Sequence, residues 1–329
     1  MPPNISIITP SFNQGEYIEQ TIDSVLSQNI SNLEYIIIDG GSTDQSIEII
    51  KKYEKHLAYW ISENDNGQSD AINKGLTKAT GEIVNWINSD DYYEKDALWA
   101  VAAAFQDERV NVVCGRGKIV SSDGELIRYS RGTDVHERNL EKTIGWARMD
   151  QPETFFRRSV IQDIGYLNEH LHYLMDRDLW IRYLLRYGLQ GVKKIPDAII
   201  NFRLHDTSKT VSQLDNFQID HDSFFYSMAK QYDLCAEKEC IRSVSQVHED
   251  FVLDIPSSYQ KNTVQKILSH YFLKRADEFY AGAEREKAQA CMQQVQVSHL
   301  GVSEKKLLKK LTFRNTYVPI SVLQLFRRN

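Results

Sequence analysis

Four times in the first hundred residues a short apolar run breaks into a polar tip and then into a helical pattern. Ile5-Ser6-Ile7-Ile8 ends at Thr9–Asn13, and the next segment sets Tyr17, Ile18, Ile22, Val25 and Leu26 on one helix face. Asn13 followed by Glu16 predicts a capping box there. Tyr35–Ile38 ends at Asp39-Gly40-Gly41, and Ser42–Gln45 opens a helix carrying Ile47, Ile49, Ile50 and Tyr53. Ala58–Ser62 leads through a polar loop to a helix from about Ser69 to Ala79, which Thr80-Gly81 stops. Ile83–Ile87 runs into Asn88-Ser89-Asp90-Asp91. Alternating strands and helices, with strands apolar almost throughout, predict an α/β fold: a mainly parallel sheet with helices on both faces. Ligands of such sheets bind beyond the carboxyl ends of the strands. Thr9–Asn13, Asp39, Asp65 and Asp90 all fall on that rim.

After Ala97–Phe105 the pattern loosens into mixed short strands: Val110–Cys114, Ile119–Val120, Leu126–Tyr129, 191–195 and 199–204, with a helix near Asp178–Tyr187. From about Asp215 long amphipathic helices take over, and Ala276–Val295 has the small-residue spacing of a helical hairpin. The expected division is a catalytic domain over residues 1–212, its halves meeting near 115, and a helical C-terminal region over 213–329. Hydrophobic content of 42% and charged content of 26% are those of an ordinary globular chain. A net charge of −6 gives no reason to expect nucleic acid as a partner. Four cysteines without disulfide-like spacing suit a reducing cytosol. With no signal peptide and no apolar run near the roughly 18 residues that span a bilayer, a cytoplasmic location is expected, free or on the cytoplasmic face of a membrane.

Adjacent carboxylates at the exit of a buried strand repel, and each raises the other's pKa unless a cation sits beside them. Mg²⁺ and Mn²⁺ take one or two carboxylates together with substrate phosphates. A simple turn is the competing explanation for Asn88–Asp91 taken alone.

Four motifs in order change that balance: TPSFNQGEYIEQTIDSVLSQ, EYIIIDGGSTDQS, SENDNGQSDAINKGLTKATGEI and NSDD. Over residues 5 to about 210 the chain resembles the inverting family 2 glycosyltransferases of GT-A fold, most closely bacterial members that act in surface-polysaccharide or O-antigen assembly. The resemblance implies a nucleoside-diphosphate sugar donor and Mn²⁺ or Mg²⁺. It puts Thr9, Ser11, Asn13, Asp39, Asp65, Asn73, Asn88 and Ser89 around the nucleotide sugar, Asp39 accepting from a nucleobase N–H. The family's metal motif is Asp-x-Asp, and Asn88 stands here at its first position. Metal binding then shifts to Asp90, with Asp91 as second carboxylate or behind the first, and with His205 reaching the metal or diphosphate. Inversion needs a base to deprotonate the acceptor hydroxyl. Asp176, in Met175-Asp176-Arg177-Asp178-Leu179-Trp180, holds that place, while Gln151, Asp178 and Trp180 would meet the acceptor, a glycan or polyprenyl-linked glycan.

Other functions fit less well. A sugar nucleotidyltransferase would need a Gly- and Arg-bearing phosphate loop after the first strand, and a dinucleotide oxidoreductase a G-x-G-x-x-G; TPSFNQ is neither. A non-catalytic nucleotide-sugar or glycan binder is the alternative should Asp176 stand far from the metal pair. From Lys261 onward 13 Lys and Arg face 5 Asp and Glu. Lys305, Lys306, Lys309 and Lys310 flank Leu307, Leu308 and Leu311, and Val318, Ile320, Val322, Leu323, Leu325 and Phe326 precede Arg327-Arg328. This pattern predicts either a segment lying on an anionic membrane surface or a helical hairpin that packs on the domain or forms a homodimer.

Overall fold

The computed structural model of the chain describes residues 3–136, 138–149, 151–206, 208–209 and 213–318. The chain divides into two compact units, residues 1–134 with 148–214 and residues 135–147 with 215–329.

The first unit is built on one nine-stranded sheet among the described residues: β1 (Ile5–Ser11), β2 (Leu33–Asp39), β3 (Tyr59–Ser62), β4 (Ile83–Trp86), β5 (Tyr92–Tyr93), β6 (Val112–Val120), β7 (Leu126–Tyr129), β8 (Thr154–Arg157) and β9 (Val192–Arg203). The order is β3-β2-β1-β4-β8-β6-β9-β5, with β7 hydrogen-bonded to β6. The first four strands are mutually parallel, and β8 enters antiparallel between β4 and β6. Ile5, Ile7, Ile8, Ile36, Ile37 and Ile38 are all 1% exposed or less. That is why these strands read as continuous apolar runs: helices cover both faces. The helices are α1 (Ile18–Leu26), α2 (Ser46–Tyr53), α3 (Gln68–Lys78) and α4 (Ala97–Ala104), then α6 (Arg158–Ile164) and α7 (Met175–Tyr187), while α5 (Leu140–Trp146) belongs to the second unit. The inward stripe of α1 is Ile18, Thr21, Ile22 and Val25, the three- and four-residue spacing of one helix face.

Two local expectations are corrected. Asn13 caps no helix: α1 begins at Ile18, and Asn13 sits before it at a positive φ of 51°. The short strands expected at 191–195 and 199–204 are one strand, β9, as are the two expected within β6. Cys114 pairs with Lys194 and Arg116 with Ala198, so a register shift absorbs Pro196. Proline has no N–H for the ladder and is tolerated at such an irregularity.

The second unit is helical: α5, then α8 (Leu214–Gln231), α9 (Cys235–Val244), α10 (Lys261–Ala281), α11 (Arg285–Gln294) and α12 (Val302–Tyr317). α10 and α11 form the hairpin expected from the Ala276–Val295 spacing, with Ala283 at φ 60° in its turn. Gly145 of α5 stands so close to the α10 backbone at Ile267 and Tyr271 that a β-carbon would collide with it. Phe225 stacks on Tyr271 with ring centroids 4.2 Å apart, and the Tyr271 hydroxyl donates to the buried Asp222 carboxylate at 2.8 Å. Among the described residues no helix is long and apolar enough to cross a membrane.

Candidate functional site

Strand register brings the polar tips together. Ser11 pairs with Asp39 across β1 and β2, and Asp39 with Ser62 across β2 and β3. The loops behind these tips are tied by side chains: the Asn13 amide donates to Ser42 Oγ at 2.8 Å, Asn13 Oδ1 accepts from the Thr43 amide at 2.8 Å, and the Gly15 amide donates to Asp44 Oδ2 at 2.8 Å. Asp65 accepts from the Gly67 amide at 2.8 Å and leans over the β2 tip, where a β-carbon on Gly40 would stand 2.6 Å from its Oδ2. A side chain at position 40 would push the Asp65 carboxylate off the tip. The Ser11 hydroxyl is buried and, among the described residues, has no hydrogen-bond partner, and a buried polar atom left unpaired calls for an explanation such as a ligand or water. Next to it Phe12 is 59% exposed.

The turn after β4 carries the charge. Asp90 Oδ2 lies 3.0 Å from His205 Nε2, bringing together residues 115 positions apart. The Asp90 side chain keeps 21% of its surface exposed and His205 only 7%, and the Tyr17 ring lies against the imidazole with centroids 5.0 Å apart. Asp91 points the other way. It is 1% exposed, and its carboxylate accepts from the Arg203 amide at 2.9 Å and from Asn88 Nδ2 at 3.3 Å. Burial, and then the neighbouring Asp90, push its carboxyl well above the usual carboxylate range. Arg203 holds this turn: Nε donates to the Asp90 carbonyl at 2.9 Å, the guanidinium reaches the Ser122 carbonyl and Gln20, and it lies over the Tyr17 and Tyr92 rings. Its signal was its place two residues before His205. Asn88 Oδ1 accepts from Gln68 Nε2 at 2.8 Å, and Gln68 Oε1 in turn accepts from Lys209 at 3.1 Å.

A divalent cation fits this donor set. The 3.0 Å between Asp90 Oδ2 and His205 Nε2 is the spacing of adjacent ligands around a six-coordinate ion with bonds of about 2.1 Å. Its charge would offset the repulsion between Asp90 and the buried Asp91. Among the described residues no three His, Cys, Asp or Glu side chains converge on one point. Of the two places expected for Asp91, second carboxylate or behind the first, its contacts suit the second: each oxygen faces a protein donor.

Several residues expected at ligand contacts also make contacts within the protein. Thr9 is fully buried and its hydroxyl bonds Tyr35 at 3.0 Å. Asp39 is fully buried and accepts from the Gly41 and Ser42 amides and from the Ser42 and Ser62 hydroxyls. Three of those donors share Oδ2, while among the described residues Ser42 Oγ alone bonds Oδ1, so Asp39 braces the tip and Oδ1 keeps an acceptor site. Asn73 spends its amide on Leu167 and Glu169, which clamps the 167–169 loop. Ser89 is 5% exposed, and its carbonyl accepts from Thr21 Oγ1 at 3.0 Å. On the side expected to meet an acceptor, Gln151 is 4% exposed and donates to Asn85 and the Trp86 carbonyl. Asp178 is buried against Arg182, 2.8 Å away. Trp180, 1% exposed, packs edge-on against Phe156 and Tyr183 and has no face for a sugar. Asp176, in the first turn of α7, stays half-exposed, with Oδ1 accepting from the Arg177 amide at 2.8 Å. Beside His205 opens a cavity of about 610 Å³ walled by Asn13, Tyr17, Asp44, Ser122, Ile127 and Asp206.

Comparison with known proteins agrees with this architecture. Residues 6–165 match the family model described as Glycosyl transferase family 2. An uncharacterised glycosyltransferase of Rickettsia typhi is 28% identical over 274 residues, 79% of this chain and 81% of that one. A putative teichuronic acid biosynthesis glycosyltransferase of Bacillus subtilis, TuaG, is 43% identical over 101 residues, 29% of this chain and 39% of that protein. Among solved structures, residues 1–349 of S. aureus TarS in complex with UDP-GlcNAc superpose with a TM-score of 0.60 at 18% identity, covering 99% of this chain and 92% of that one. That likeness is one of fold, the GT-A arrangement.

Proposed function

We propose that this glycosyltransferase, whose residues 6–165 are a family 2 domain, moves a sugar with inversion from a nucleoside-diphosphate sugar to a hydroxyl of a glycan or lipid-linked glycan, in bacterial surface-polysaccharide synthesis. The observation that carries the reading is the Asp90–His205 pair, 3.0 Å apart and partly open beyond the carboxyl end of β4. Asp90 and His205 would hold Mn²⁺ or Mg²⁺, which when bound neutralises charge on the departing nucleoside diphosphate. Asp91, fixed by the Arg203 amide, keeps the turn in place behind them. Ser11, with its unpartnered hydroxyl, and the exposed Phe12 and Asn13 offer the donor a hydrogen bond, a ring face and an amide. Asp65 stands over the neighbouring tip. Asp176 takes the acceptor's proton as the oxygen attacks the anomeric carbon.

UDP-sugars are the first donors to test, because TarS shares the fold and binds UDP-GlcNAc. The name of TuaG points to an acidic cell-surface polymer as the setting. A hydrolysis and transfer screen of UDP-, GDP- and dTDP-sugars, with Mn²⁺ and with EDTA, tests the reading. Metal-stimulated turnover of one nucleotide class is the expected result; turnover that EDTA leaves untouched would remove the metal.

A further inference from the structure

The outward face of α12 is the reverse of what its sequence suggested. Leu311 is 2% exposed, and Leu307 and Leu308 are half-buried, so the leucines face into the helical unit. Three- and four-residue spacing sets Val302, Lys305, Lys306, Lys309, Phe313 and Tyr317 on the opposite side. There Val302 is 74%, Phe313 61% and Tyr317 70% exposed, and the two rings lie 5.1 Å apart. No exposed residue of the helix is acidic: its one acid, Glu304, is buried against Lys142. Asp277 of α10 lies near Lys310 and Arg314 and offsets part of that end. Among the described residues, none of Lys305, Lys306 and Lys309 has an ion-pair partner.

A solvated helix face ordinarily mixes both signs of charge and hides its large rings. This one sets a pair of exposed rings among cations without counter-charges. We propose that it docks on an anionic phospholipid surface. Lys305, Lys306 and Lys309 meet headgroup phosphates, and Phe313 and Tyr317 sit at headgroup depth, where aromatic side chains concentrate. Charge complementarity selects the occupant, and the rings separate a lipid interface from a merely polyanionic partner.

Flotation of the full chain with vesicles tests this without reference to the transfer reaction. Phosphatidylcholine vesicles containing phosphatidylglycerol should carry the protein at low salt and release it at high salt, while phosphatidylcholine alone should not carry it. Each lysine near such a surface is worth about a fivefold change in partition, so Lys305→Gln/Lys306→Gln/Lys309→Gln should weaken binding roughly a hundredfold. Phe313→Ser/Tyr317→Ser should weaken it while leaving the salt dependence unchanged. All five side chains are exposed, and unchanged circular dichroism melts would show that the variants fold. No flotation at low salt, or wild-type flotation by either variant, overturns the proposal. So does binding to duplex DNA as tight as to the anionic vesicles and indifferent to Phe313→Ser/Tyr317→Ser.

Discussion

Replacing Asp90 with alanine separates a metal site from an ordinary turn, because two structural effects of the change oppose one another. The variant loses the contact with His205 at 3.0 Å, worth about 1–3 kcal/mol when one partner is charged. It also removes the charge that, after burial, holds the Asp91 carboxyl above its usual range. Stability in metal-free buffer should therefore stay within about 1 kcal/mol of wild type, a shift of roughly 2–4 °C for a domain of this size. The pH dependence has a definite sign. An acid whose folded pKa is raised contributes stability that is present at low pH and lost as pH rises through the raised value. In the wild type that loss begins as pH rises past the ordinary carboxylate value and is complete at the raised one, and the variant, keeping only the burial of Asp91, should lose less over the same limb. Scanning fluorimetry with EDTA reads this limb; the same scan with Mn²⁺ and UDP reads the metal. Ligand at a hundredfold over Kd stabilises by about 2.7 kcal/mol, roughly 5–10 °C in the wild type, and none of that gain should survive in Asp90→Ala. A variant with the full metal-dependent gain, or with transfer within a few-fold of wild type, would refute the assignment.

Asp176→Asn should nearly abolish turnover while leaving the dissociation constant of the nucleotide unchanged, since only acceptor deprotonation is lost; donor affinity falling in step with rate would make Asp176 a binding residue. Trp180→Ala should cost about 3–5 kcal/mol of stability, read as a denaturation midpoint, and a variant of wild-type stability with a raised acceptor KM would return Trp180 to the acceptor site. Ser11→Ala should weaken nucleotide binding by about 0.5–1.5 kcal/mol, one neutral hydrogen bond, with the melting temperature unchanged; titration calorimetry showing equal affinity would leave its hydroxyl unexplained. Burial pulls His270 down to about 4 from 6.5, so the folded chain holds it neutral. Its contribution is complete above pH 6.5 and lost as pH falls toward 4. His270→Asn should flatten that acid limb of thermal stability, and an unaltered slope would assign the limb to other groups.

The sheet and its rim were legible in the chain because both are local signals: an apolar run, a polar tip, a helix stripe. What each tip residue does was less legible, because the same residue types serve as ligand contacts and as internal braces. The choice is made by partners far along the chain. Asn73 is drawn to the 167–169 loop, Asp39 to hydroxyls and amides on both sides of its strand, and Asp91 to the backbone of β9. Trp180 is likewise buried against Phe156 of β8 and Gln151 against Asn85 and Trp86 of β4, partners that no spacing within their own segments announces. Arg203 is the clearest omission. Its guanidinium, buried under two tyrosines, reads in sequence as one more surface cation, yet it fixes the turn that carries both aspartates. Motif residues thus divide by a physical criterion, whether any polar atom is left open once the protein has satisfied itself. Asn73, whose amide is bonded at both ends, fails that criterion. The hydroxyl of Ser11 passes it among the described residues; with the partly open Asp90–His205 pair and the half-exposed Asp176 it makes up the positions we propose for the chemistry, the buried residues acting through the positions they hold.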